Sequence, residues 1–119
     1  MVYSEDRLDS LFMALSSGVR RDLLDRLARR PHGVREVAQH YRMSAPAIAK
    51  HLRILEAAGL VSRTVEGRKH WITVEQAPLQ EAADWLRDRQ AFWSSRLLSL
   101  SRFMAKRGLE TPYKKRNRP

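Results

Sequence analysis

The sequence predicts a mainly α fold with one small β-hairpin, arranged as a winged helix-turn-helix that dimerises through its terminal helices. Three observations predict it. A short amphipathic stretch, VREVAQHY, is followed after a tight connection by a capped helix, SAPAIAKHLRILEAA. That helix gives way at Gly59 to two alternating strands around Glu66-Gly67-Arg68. A long helical pattern then runs from Pro78 to about Lys106.

Each element has a local reason. Leu8, Leu11, Phe12 and Leu15 recur at helical spacing, so a first helix is expected over Glu5 to Ser16. Ser17 is placed to cap a second helix, which turns Val19, Leu23, Leu24 and Leu27 inward and stops before Pro31. His32-Gly33 reads as a turn. Val34, Val37, Ala38 and Tyr41 mark a short third helix, and Arg42-Met43 a tight connection. Ser44 then caps the fourth helix by accepting an orphan amide, with Pro46 in the first turn, where its missing N–H costs nothing. Ile48, Leu52 and Leu55 form its buried stripe. Gly59 ends it in the left-handed conformation, and Leu60 folds back onto it.

Val61, Arg63 and Val65 alternate with polar residues, as do Ile72 and Val74 beyond the loop, which is the period of a strand. In the last helix Leu79, Leu86, Trp93 and Leu100 recur every seven residues, with Ala83, Leu97 and Met104 beside them. So long a helix has more apolar surface than a domain of this size covers, which points to a partner subunit. The expected division is a domain over 1–106 and a basic, disordered tail over 107–119.

Composition narrows the function. The 119 residues suit one domain. There is no cysteine, which excludes disulfides, thiolate metal sites and a cysteine nucleophile. The N-terminus carries acids and no apolar core, unlike a signal peptide, and no apolar run reaches the length of a membrane span. A cytoplasmic protein with no membrane partner is expected. Lys and Arg number 23 against 13 Asp and Glu, a net charge of +10, which favours a polyanionic partner. Half of that charge lies in residues 106–119, where six Lys/Arg face one Glu, so charge alone does not locate the contact.

The fourth helix locates it. It begins almost bare, with Ser44, Ala45, Pro46 and Ala47, and then presents Lys50, His51 and Arg53 about a turn further on. In a helix-turn-helix the second helix enters the major groove N-terminus first. Small residues there let the backbone approach, and free amides with the helix dipole favour a phosphate. Alanine methyls touch thymine methyls but donate no hydrogen bond, which leaves base reading to Ser44, Lys50 and His51. Modest direct readout is expected, with more reliance on phosphate contacts and DNA shape. Arg63, Arg68 and Lys69 are the basic residues of the wing.

These residues also carry a resemblance. ALSSGVRRDLLDRLA, followed by VREVAQHYRMSAPAIAKHLRILEAAGLVSRTVEGRKHWITV, resembles the ArsR/SmtB family of bacterial winged-helix repressors over roughly residues 8–104. The family implies a homodimer held by the first and last helices, binding an imperfect palindrome of double-stranded DNA and repressing transcription. Position by position it implies Ser44, Ala45, Pro46, Ala47, Lys50 and His51 in the recognition helix, and Arg63, Gly67, Arg68 and Lys69 in the wing. Leu8, Leu11, Phe12, Leu86, Trp93, Leu97, Leu100 and Met104 are the expected dimer contacts. A repressor of this kind is nucleoid-associated while bound to DNA.

The chain departs from the metal-sensing members, which use cysteines before the recognition helix or His/Asp ligands on the last. VREVAQHY has no cysteine, and the last helix has Glu81, Asp84 and Asp88 but no histidine. Carboxylates alone hold transition metals poorly, and His32, His40, His51 and His70 show no ligand spacing. No metal and no other cofactor is expected, and FWSSRLLSLSRFM resembles the metal-independent branch. Trp85, Phe92, Trp93 and Phe103 read as core or dimer seam rather than an inducer pocket, so the sequence does not support a small-molecule inducer. Enzyme function is excluded by the lack of a phosphate loop or a paired catalytic motif. The competing reading is a non-specific RNA-binding or architectural DNA-binding winged helix.

Overall fold

The structure is a computed structural model in which residues 5–110 are described. The elements are α1 (Glu5–Leu15), α2 (Gly18–Arg29), β1 (His32–Gly33), α3 (Val34–His40), α4 (Ala45–Ala57), β2 (Val61–Glu66), β3 (Lys69–Val74) and α5 (Gln76–Lys106). The chain divides into two units after Ala82, within α5.

The N-terminal unit is built around one apolar core. Leu11, Leu23, Ile48, Leu52, Leu55, Leu60 and Ile72 are fully buried in it, drawn from α1, α2, α4 and the sheet. Each helix contributes one stripe, as its spacing requires. Ser17 caps α2 by accepting from the Arg20 amide. Ser44 caps α4 by accepting from the Ala47 amide at 3.3 Å, with Pro46 in the first turn. At the other end of α4, Gly59 has φ 73°. The Gly59 amide donates to Glu56 O at 2.9 Å and the Leu60 amide to Leu55 O at 3.0 Å, the two bonds of a Schellman cap. Leu60 is fully buried, so this cap also fixes how β2 leaves the helix.

The sheet corrects one expectation. His32-Gly33 is not a free turn but a short edge strand, giving the order β1-β3-β2. His32 pairs with Ile72 and Gly33 with Trp71. Two residues are too few for a period to show, and Gly33 signals a turn as readily as a strand. A Cβ at Gly33 would lie 3.1 Å from Lys69 Cε, close enough that the lysine side chain would have to shift by a few tenths of an ångström. The expected hairpin forms between β2 and β3, from Val61↔Val74 to Glu66↔Lys69. Gly67, with φ 63°, supplies the positive angle at the first position of the two-residue loop, the requirement of a type II′ turn.

In the C-terminal unit α5 continues to Lys106 and ends in a second Schellman cap. Gly108 has φ 70°, and the Leu109 amide donates to Met104 O at 3.0 Å. Residues 107–110, the start of the expected tail, thus form the close of the helix. The rest of that tail lies outside the described residues. Leu86, Trp93 and Leu100, seven residues apart, are all exposed. Leu97 and Met104 beside them are half-buried. Three arginines stack on aromatic rings along the helix: Arg89 on Trp85, Arg96 on Phe92 and Arg107 on Phe103.

Candidate nucleic-acid interface

α3 and α4 are joined by residues 41–44, a connection closed by the Met43 amide donating to Tyr41 O at 2.8 Å. Tyr41 anchors it to α2, since its hydroxyl donates to Asp22, which also accepts from Arg26 Nε at 3.0 Å. This clamp ties the α3–α4 connection to α2. Burial first, and then the Asp22 carboxylate, push the Tyr41 phenol up to about 12.

Ile48, Leu52 and Leu55 hold one side of α4 in the core. The other side bears Pro46, Lys50 and Arg53, all exposed, with Ser44 and Ala45 exposed at the N-terminus and Ala47 half-buried. In the first turn Pro46 has no N–H and the Ala47 amide is taken by Ser44, so the positive end of the helix dipole and the two cations a turn behind it carry the attraction for an anion. No acid lies between Tyr41 and Leu55. This exposed side is basic and carries no acid, which is the chemistry that suits a phosphate backbone.

His51 is placed differently from its sequence reading. Its ring turns toward α2, where Nδ1 lies 3.0 Å from Arg20 Nη1. Its pKa is lowered by burial first, then by the charges of Arg20 and Lys50. It flanks the exposed surface of α4 instead of standing in its centre.

Arg20 is a residue the sequence reading passed over. It is a buried charged side chain with no carboxylate partner among the described residues. Its Nε donates to Ala14 O and its Nη2 to Met13 O, both at 2.8 Å. Arg21 donates to Leu15 O at 2.7 Å. The two arginines thus satisfy the last carbonyls of α1, where the helix dipole is negative and favours a cation. Nothing in SSGVRR distinguishes this capping pair from surface charge.

The wing is likewise divided in its roles. Arg68 is exposed in the loop. Lys69 lies over the Trp71 ring, 4.2 Å from its centre. Arg63 stands further down β2, opposite Ile72. It donates through Nη2 to Glu56 Oε1 of α4 at 2.6 Å, and its Nη1 lies 3.3 Å from His70 Nδ1. It joins the wing to α4.

Of the expected dimer contacts, Leu8 and Leu11 are buried, and Leu11 belongs to the core of its own unit. The physical reason is the α1 stripe, whose inward positions are consumed by α2 and α4. Phe12 is half-buried, while Leu86, Trp93 and Leu100 remain exposed. Among the described residues no group of three or more His, Asp or Glu gathers where a metal ion would sit. No described helix is long and apolar enough to cross a membrane.

Comparison with known proteins agrees with this geometry. Residues 17–63, from the α2 cap to the start of the wing, match the family described as bacterial regulatory protein, arsR family. The HTH-type transcriptional regulator Rv2034 of Mycobacterium tuberculosis is 30% identical over 103 residues, covering 87% of this chain and 94% of the relative. The chain belongs to the ArsR family. The transcriptional repressor SdpR of Bacillus subtilis is 29% identical over 79 residues, 66% of this chain and 88% of the relative. A solved ArsR-like transcriptional regulator from Rhodococcus sp. RHA1 superposes with a TM-score of 0.78 at 33% identity, covering 85% of this chain and 93% of that one. The winged helix-turn-helix of this ArsR-family regulator is therefore a DNA-binding domain, and the relatives are regulators of transcription, not enzymes.

Proposed function

We propose that this ArsR-family regulator is a homodimeric repressor that recognises an imperfect two-fold site in double-stranded DNA and does not sense a metal. The observation that carries the reading is the exposed side of α4: an uncovered N-terminal turn, Lys50 and Arg53 behind it, and no acid among them. Ser44, Ala45, Pro46, Ala47, Lys50 and Arg53 approach the major groove, His51 stands at its flank, and Arg68 and Lys69 bring the wing to the adjacent backbone. Leu86, Trp93 and Leu100 support the dimer, because three large apolar side chains at heptad spacing are costly to leave in water. Leu97 and Met104 lie beside them on the same helix, and Phe12 is the half-buried candidate on α1. The relative named as a repressor supports that sign of regulation. The chain's lack of cysteine and its scattered histidines support metal independence.

The test is selection of random duplexes by the purified chain at near-physiological salt, with its mass in solution recorded. A two-fold enriched site bound by a dimer is expected. Binding without an enriched sequence, or by a monomer, overturns the reading in favour of a non-specific nucleic-acid-binding protein.

A further inference from the structure

The ring of His51 is oriented by Arg20. A guanidinium has five N–H donors and no acceptor. At 3.0 Å from Arg20 Nη1, His51 Nδ1 must therefore be the acceptor, which leaves it bare and puts the ring proton on Nε2. Arg20 does not swing away from this contact, because the Met13 and Ala14 carbonyls hold its other nitrogens. Those carbonyls are the negative end of α1, so the cation is stabilised without an acid that would also attract a proton to His51. His32 shows the opposite case in the same chain. Its Nδ1 lies 2.8 Å from Arg30 O, and a carbonyl only accepts, so His32 carries its proton on Nδ1.

We propose that Arg20 is a positioning residue for DNA binding, holding His51 as a neutral imidazole that offers an Nε2–H donor from α4 to an acceptor on the DNA. The inference rests on α4 being the helix that meets DNA. It deepens that reading by naming a residue on another helix that decides what α4 presents. A neutral donor of fixed tautomer satisfies a phosphate oxygen or a purine N7 in one geometry, whereas an imidazolium adds attraction without direction.

The surroundings favour the neutral form. Arg20 on α2 and Lys50 on α4 are the charges that bear on the ring, and Arg20 itself is held by α1 carbonyls and by the Ser16 hydroxyl just beyond α1, not by an acid. Removing the Arg20 charge lifts the larger of these two repulsions. His51 then takes up a proton more readily as the pH falls, and a DNA polyanion draws that proton in.

The experiment has two readouts. Ring nitrogen NMR of the DNA-free protein at pH 7.5 reports the tautomer directly. The expected result is Nε2–H for the wild type and for Arg20→Lys, which retains only donors, and a mixture for Arg20→Gln. Affinity for the most enriched duplex is then measured at pH 7.5 and 6.0. Arg20→Gln should gain affinity on acidification by at least about threefold more than the wild type, and adding His51→Asn should abolish that extra gain. A proton on Nδ1 in the wild type, or equal pH dependence in wild type and Arg20→Gln, overturns the proposal. Should Arg20→Gln fail to fold, the wild-type complex carries the test: the ring must stay neutral when duplex is added at pH 6.5, and an imidazolium there overturns the proposal. Failure to bind any duplex would sink the reading of α4 and this inference with it; tight binding with the wrong tautomer would sink this inference alone.

Discussion

Arg63 Nη2 donates to Glu56 Oε1 over 2.6 Å, and this ion pair fastens the first wing strand to the last turn of α4. The pair holds that guanidinium on Glu56 and so keeps it from a phosphate. Both side chains are nearly a third exposed, so the pair itself contributes little to stability, about 0.2–1 kcal/mol. Its larger effect is on charge. Glu56→Gln removes a negative charge beside the interface and releases Arg63 toward phosphate. The expected outcome is tighter DNA binding with a salt dependence steeper by roughly one counterion. Affinity measured across a series of salt concentrations checks it, and an unchanged slope would mean that Arg63 stays on the wing even when unpaired.

The exposed side of α4 makes a more local prediction. Lys50→Ala and Arg53→Ala should each weaken binding to the preferred duplex while leaving the fold intact, since both side chains are exposed. A base-reading contact is worth about 1–3 kcal/mol and relaxes sequence preference, whereas a phosphate contact weakens all sequences alike and lowers the salt slope. Lys50 is expected to show the first behaviour and Arg53 the second. Competition between specific and mixed-sequence duplexes separates the two, and identical profiles would overturn the assignment.

What was legible in the sequence follows the range over which each signal acts. Ser17, Ser44 and Gly59 announced their caps because a cap is decided within four residues of chain. Ile48, Leu52 and Leu55 announced their stripe because helical period is local as well. The β1 edge strand was illegible, since its partners Trp71 and Ile72 lie some forty residues away. The same holds for the site. The exposure of Lys50, Arg53 and Arg68 was legible from residue type and position. Arg20, Glu56 and the turned ring of His51 were not, because each acquires its role from a contact between elements. Leu11 was read as a dimer contact for a related reason: a stripe shows that a face is buried, not by whom.

The Tyr41 clamp gives a pH-dependent stability with a definite sign. Tyr41→Phe removes the hydrogen bond to Asp22 and should cost about 1 kcal/mol at neutral pH. The phenol is raised in the folded state from 10.0 to about 12, so its contribution is fully present below pH 10 and is lost as the pH climbs toward 12. Urea unfolding of wild type and Tyr41→Phe at pH 8 and pH 11 should show the gap between them narrowing. A gap that widens at pH 11 would contradict the assignment.

His51 gives the opposite end of the pH range. Its folded pKa is depressed below 6.5, by burial above all, so the folded state favours the neutral ring. The sign is that stability is fully present above pH 6.5 and declines as the pH falls below it, because the unfolded chain binds the proton first. His51→Gln, which retains an acceptor for Arg20, removes that decline. Thermal unfolding at pH 7.5 and 5.5 should therefore show a smaller acid loss in the variant than in the wild type. The other three histidines are common to both proteins and cancel in the comparison. An equal acid loss would mean that the His51 ring is as free to ionise in the fold as in the unfolded chain.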